Sequence, residues 1–271
     1  MKTTLLLTAM LFLFSTRLAY AKNFDLVMGG FQSCRLKSKL EHSHFGKGGG
    51  PIISKTEAFV TKNSIYKSYL KYRTEENPFI MTCLTNTVKH DEKNPYDFKV
   101  KVLDSTKKDE FWMSFEDFID YVDQRIYELK KKNKKLKVSV YGHSYGGWMS
   151  MQFIKEVNHH RIHKLITVDP ISKPLCRVKN VIKTALNVLP LVNFDLEKTK
   201  ICNEFPRDIS LSELDLIKDK TGTWYNFYQD KTKALHSSEA PIESIKNEKL
   251  NEGHVKIDNS ETVWKKFFDL F

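Results

Sequence analysis

The sequence predicts an α/β fold in which a mostly parallel central sheet carries helices on both faces. Three observations carry this expectation. Short apolar runs alternate with amphipathic segments, the pattern of strand and helix following one another through a parallel sheet. Two of the runs, Phe24 to Met28 and Pro78 to Leu84, are apolar nearly throughout, as strands covered on both faces are. The chain of 271 residues is also long enough for one large α/β domain with a substantial core.

Taken in order, the chain opens with Met1 and Lys2, an apolar run from Leu5 to Phe14, and the small-x-small pattern Ala19-Tyr20-Ala21. These read as a secretory signal over residues 1–21, leaving one mature domain over 22–271 and an exported protein, periplasmic or secreted. The apolar run is too short to span a bilayer, which takes roughly 20 residues. No cysteine stands directly after the cleavage point, so no lipid-anchored N-terminus is expected.

Phe24 to Met28 runs straight into Gly29-Gly30, and Pro78 to Leu84 is the second strand of the same kind. Between them lie a glycine-rich loop, His42 to Gly50, and a segment from Ile53 to Tyr72 with helical spacing. Ser114 with Asp117 three residues on is a helix start of the capping type. Phe115, Phe118, Ile119, Val122, Ile126 and Leu129 then fall on one face of a helix packed on a sheet. Leu136 to Tyr141, Gly146 to Val157 and Lys164 to Val168 continue as strand, helix and strand. From Ile171 to Gly222 the alternation breaks, with several prolines, two cysteines and the apolar core Leu189-Pro190-Leu191-Val192, which reads as an insertion. Thr223 to Tyr228 returns as a strand, and Ser260 to Phe271 as a terminal helix with Val263, Trp264, Phe267 and Phe268 available for packing.

The formal net charge of +11, mostly lysine, loses two units when Lys2 and Arg17 leave with the signal. Such a balance is compatible with peripheral contact with anionic membranes or envelope polymers, although a solvated lysine-rich surface is the preferred reading. The lysines do not gather with interleaved aromatics, so no nucleic-acid partner is read; the densest run, Lys130 to Lys137, closes a helix where cations suit the dipole. Cys34, Cys83, Cys176 and Cys202 all lie in the exported part, where an even number suggests two disulfides. Three pairings are open, and pairing by neighbourhood, Cys34 with Cys83 and Cys176 with Cys202, is preferred. Their spacing is not that of a zinc site, and no metal is expected.

The chemistry concentrates in Val138-Ser139-Val140-Tyr141-Gly142-His143-Ser144-Tyr145-Gly146-Gly147: an apolar strand, GxSxG, then a helix. A turn that sharp requires small residues two before and two after the serine, and it presents the hydroxyl at the top of the sheet. Asp169-Pro170 follows the strand after the nucleophile's helix, and Asp230 ends Thr223 to Gln229.

In its GHSxG elbow and in the order of its elements the sequence resembles the α/β-hydrolase family, in particular its lipases and esterases. The resemblance spans most of the mature chain, although only three short stretches are motif-specific. It implies a nucleophile, acid and histidine in that chain order, and it makes either Asp169 or Asp230 the acid, with Asp169 preferred. His254, in the loop before the last helix, is the histidine this order selects, with His236 as second choice. His143 is read as elbow packing, and His42, His44, His90, His159, His160 and His163 as surface residues. The resemblance also implies an oxyanion hole from the backbone N–H groups of Tyr145 and Phe31, the latter in Gly29-Gly30-Phe31 where many relatives have a His-Gly pair. The implied activity is hydrolysis of carboxyl esters of lipids or small molecules through an acyl-enzyme, without a metal or organic cofactor. Residues 171–222 would form a cap with an apolar acyl pocket. A peptidase or amidase on the same fold, or a binding protein with an inert Ser144, are the alternatives.

Overall fold

The computed structural model describes residues 22–31, 64–84, 96, 98–107, 109–157, 160–172, 177–179, 199–201, 204–232 and 235–270. The signal segment, the glycine-rich loop, Cys34, Cys176, Cys202 and, within the 171–222 stretch, residues 173–176, 180–198 and 202–203 lie outside them. Cys83 is disulfide-bonded, and its partner likewise lies outside the described residues.

The strands are β1 (Asn23–Phe31), β2 (Phe79–Leu84), β3 (Lys99–Asp104), β4 (Asp109–Ser114), β5 (Lys137–His143), β6 (Ile162–Val168), β7 (Arg177–Lys179), β8 (Thr199–Ile201), β9 (Thr221–Tyr228) and β10 (Lys246–Lys249). The helices are α1 (Ser64–Tyr72), α2 (Phe115–Lys132), α3 (Tyr145–Glu156), α4 (Leu211–Asp219) and α5 (Glu261–Phe268), with a 3-10 turn at Ile257–Asn259. Eight strands form one sheet in the order β10-β9-β6-β5-β1-β2-β3-β4, and β7 pairs with β8 apart from it. From β10 to β2 every pairing is parallel; the β3–β4 hairpin is the antiparallel edge. This is the mostly parallel α/β architecture expected of an α/β-hydrolase.

The period of two along β1 divides the core. Phe24, Leu26 and Met28 face a cluster with Phe118, Val122, Trp148, Phe153 and Leu214, so α2, α3 and α4 cover that side. Val27, with Tyr141 and Ile166, faces Ile65, Tyr69, Trp264 and Phe267, so α1 and α5 cover the other. Both faces of the central strands are therefore dry, which is why they read as unbroken apolar runs.

Ser114 caps α2 by accepting from the Asp117 N–H, as the spacing predicts. The helix expected from Ile53 is seen from Ser64, the residues before it lying outside the described ones. The hairpin β3–β4 has no counterpart among the predicted elements, although Lys99, Val100, Lys101 and Val102 alternate as a half-buried strand should. Residues 204–222, grouped with the insertion on sequence, hold α4. Its N-terminus is a capping box of Ser210 and Glu213, and Leu214 and Ile217 are buried in the main core. Asp208 ties this segment down: its Oδ2 accepts from Trp148 Nε1 at 2.7 Å and from Ser172 Oγ at 2.8 Å. The chain on both sides of 173–203 is thus fastened to one carboxylate beside α3.

Candidate active site

The parallel strands β1, β5, β6 and β9 end at the same edge of the sheet, and the candidate residues stand on the segments that leave them. Ser144 lies between β5 and α3 with φ 59° and ψ −127°, a backbone conformation that L-residues other than glycine rarely adopt. Its main chain holds it there: the N–H donates to Val168 O at 2.9 Å, and the carbonyl accepts from Gly147 N at 2.9 Å and Ile171 N at 3.2 Å.

The small residues around it are required by contact. A Cβ on Gly142 would lie 2.3 Å from Gly146 O, and one on Gly146 would lie 2.2 Å from Met28 O. Gly30, at the end of β1, comes closest to the nucleophile itself: its Cβ would fall 2.7 Å from Ser144 Cβ. The Gly29-Gly30-Phe31 segment expected as a loop is still paired within β1, with a register irregularity between Met28 and Phe31 that turns it past Ser144. Tyr145 is the first residue of α3, where backbone N–H groups point out of the helix N-terminus.

His254 Nε2 lies 2.9 Å from Ser144 Oγ, and its Nδ1 lies 2.7 Å from Asp169 Oδ2. A carboxylate only accepts, so Nδ1 carries the proton and Nε2 is free to accept from the serine hydroxyl. Ser144, His254 and Asp169 are all buried, Asp169 completely. Asp169 has φ 46°, and its N–H donates to Phe227 O on the neighbouring strand end.

Further polar residues complete the site, and local sequence patterns do not mark them. Gln229 Nε2 donates to Asp169 Oδ2 at 2.7 Å while its Oε1 accepts from Thr232 N at 2.9 Å. Thr232 Oγ1 accepts from His254 N at 3.0 Å, which closes a ring of four residues through Asp169, Gln229, Thr232 and His254. The Ser237 N–H donates to Asp169 Oδ1. His143, read as packing, reaches the His254 carbonyl oxygen with Nε2 at 2.9 Å.

Asp230 and His236, the alternatives for acid and base, are elsewhere. Asp230 makes an exposed ion pair with Lys249, and His236 Nδ1 sits 3.0 Å from Thr232 O. Asp258, four residues after His254, accepts from Ser64 Oγ at 2.7 Å and Asn259 Nδ2 at 2.8 Å. Burial pushes its carboxyl up to about 6 against these bonds. Among the described residues no group of histidine, cysteine and acidic side chains is set to hold a metal, and no helix is long and apolar enough to cross a membrane.

Comparison with known proteins adds three findings. No curated protein matches the chain. Among solved structures, the chain is similar to a lipase-esterase related protein from Clostridium acetobutylicum at 14% identity and a TM-score of 0.44, over 93% of this chain and 96% of that one. The model of the lipid-droplet associated hydrolase family matches residues 64–202, just over half of the 271 and a span that includes the nucleophile elbow and the Asp169 turn. On that match, this chain belongs to the lipid-droplet associated hydrolase family.

Proposed function

We propose that the protein is a serine hydrolase that cleaves carboxyl esters, lipid esters foremost, through a Ser144–His254–Asp169 triad. One observation carries the reading: a buried, continuous chain of hydrogen bonds from Asp169 through His254 to a serine on a strained elbow. His254 takes the Ser144 proton as Oγ attacks the ester carbonyl carbon. Asp169 keeps the imidazole oriented and stabilises the imidazolium. The developing oxyanion is held by the backbone N–H groups of Tyr145 and Phe31. Collapse of the tetrahedral species expels the alcohol, which receives the proton from His254. Water, activated by the same histidine, then releases the acid and restores Ser144.

The lipid-ester preference draws on the family, and the export of the chain on its first 21 residues. Treatment with a fluorophosphonate, followed by p-nitrophenyl esters of increasing chain length, tests the reading. Wild-type protein should label and turn over, and Ser144→Ala should do neither. A folded wild-type protein that neither labels nor hydrolyses any ester would leave a binding protein on a hydrolase scaffold.

A further inference from the structure

We propose that His143 is a positioning residue for His254: from the end of β5 it fixes the main chain of the base relative to the nucleophile next to it. The inference rests on the reading of Ser144 and His254 as nucleophile and base. One strand end then sets both partners of the proton transfer.

The geometry has two parts. His143 directly precedes Ser144, and its buried ring bonds to the His254 carbonyl oxygen. A carbonyl only accepts, so the bond requires the tautomer with the proton on Nε2. On the other side of the same residue, the His254 N–H donates to Thr232 Oγ1. Both backbone polar groups of His254 are therefore held by side chains, one from β5 and one from the loop after β9, while Asp169 holds the ring.

The charge state suits this task. Burial, with the neighbouring His254 charge second, pushes the His143 imidazole down to about 3, so it remains a neutral donor at any pH where His254 cycles. The two rings are 5.0 Å apart between centroids. A cation at 143 would oppose the imidazolium that forms on His254; a neutral ring does not. Among the described residues, Asp169 from the end of β6, Asp258 from the 3-10 turn and a neutral His143 from β5 act on His254.

His143→Leu and His143→Gln separate the hydrogen bond from simple filling of the space. Glutamine can place an N–H near the position of Nε2; leucine leaves the His254 carbonyl buried without that donor. Misplacement of a catalytic group by 1 Å can cost about 100-fold, so His143→Leu should lower kcat and the fluorophosphonate labelling rate by about that factor with KM nearly unchanged. Its pH–rate profile should also be displaced from that of wild type, because the His254–Asp169 bond relaxes with the backbone. His143→Gln should recover at least about tenfold of the loss. A folded leucine variant with wild-type rates, or a glutamine variant as slow as the leucine one, overturns the proposal.

Imidazole 15N spectra of the wild-type protein give a test that needs no activity and no variant that folds. His143 should be neutral with the proton on Nε2 at pH 5, and a protonated or Nδ1–H ring there overturns the proposal too. Absence of labelling in wild type together with the expected spectrum would instead count against the reading of Ser144.

Discussion

Single buried residues are held by opposing demands. His143, Asp25 and Asp258 are all ionisable and buried, and burial shifts each of them towards its neutral form. For stability the shifts act in opposite directions. The carboxyls of Asp25 and Asp258 are raised to about 6, so as pH falls through 6 the folded chain takes up those protons first and gains stability. The His143 imidazole is depressed to about 3, so below about 6.5 the unfolded chain binds a proton that the folded chain refuses, and stability is lost. His143→Gln removes only the second effect. Whatever its stability relative to wild type at pH 7, the variant should gain on wild type between pH 6.5 and 4.5, by up to about 2 kcal/mol. Urea unfolding of both proteins at pH 7 and 4.5 measures this; a difference independent of pH would mean that His143 is not held neutral in the fold.

At the scale of the element, α5 is the piece that fixes the His254 loop from behind. Trp264 stacks on Tyr141 of β5 with ring centroids 4.5 Å apart, and its Nε1 donates to Asp258 O at 2.8 Å. The indole therefore joins the central sheet to the 3-10 turn just after the histidine. Trp264→Phe keeps most of the packing and loses the bond, which should cost about 1 kcal/mol. Trp264→Ala should cost about 3–5 kcal/mol in urea unfolding, as removal of a fully buried ring does. An alanine variant of near wild-type stability would show that α5 is not part of the cooperative core. The sequence marked this helix, and α2 and α3, because each carries an apolar face or a capping residue within its own length. The hairpin β3–β4 and helix α4 were legible by the same rules, through Lys99 to Val102 and the Ser210–Glu213 box, but they sit among polar and proline-rich stretches that blur them.

At the scale of the whole molecule, the sheet order decides which distant residues meet. The elbow was legible because Gly142, Ser144 and Gly146 act within five residues, and His254 because the chain order of a known arrangement selects it. Gln229, Thr232 and His143 carried no such mark, since their roles exist only once β5, β6 and β9 end side by side. The same adjacency places Gln229, on the exit from β9, against Asp169, on the exit from β6. A carboxylate at position 229 would therefore stand beside that of Asp169, on the neighbouring strand end. Asp169→Asn should lower kcat by a factor on the order of 10⁴, because the amide no longer enforces the proton on Nδ1. Adding Gln229→Glu should recover at least about tenfold, with the acid now supplied from β9, whereas Asp230→Asn should leave kcat unchanged because Asp230 pairs with Lys249 on the surface. Single-turnover acylation of the four proteins checks all of this. A double variant no faster than Asp169→Asn would mean that His254 accepts its partner only from the Asp169 turn, and that the backbone there, at φ 46°, is part of the catalytic geometry.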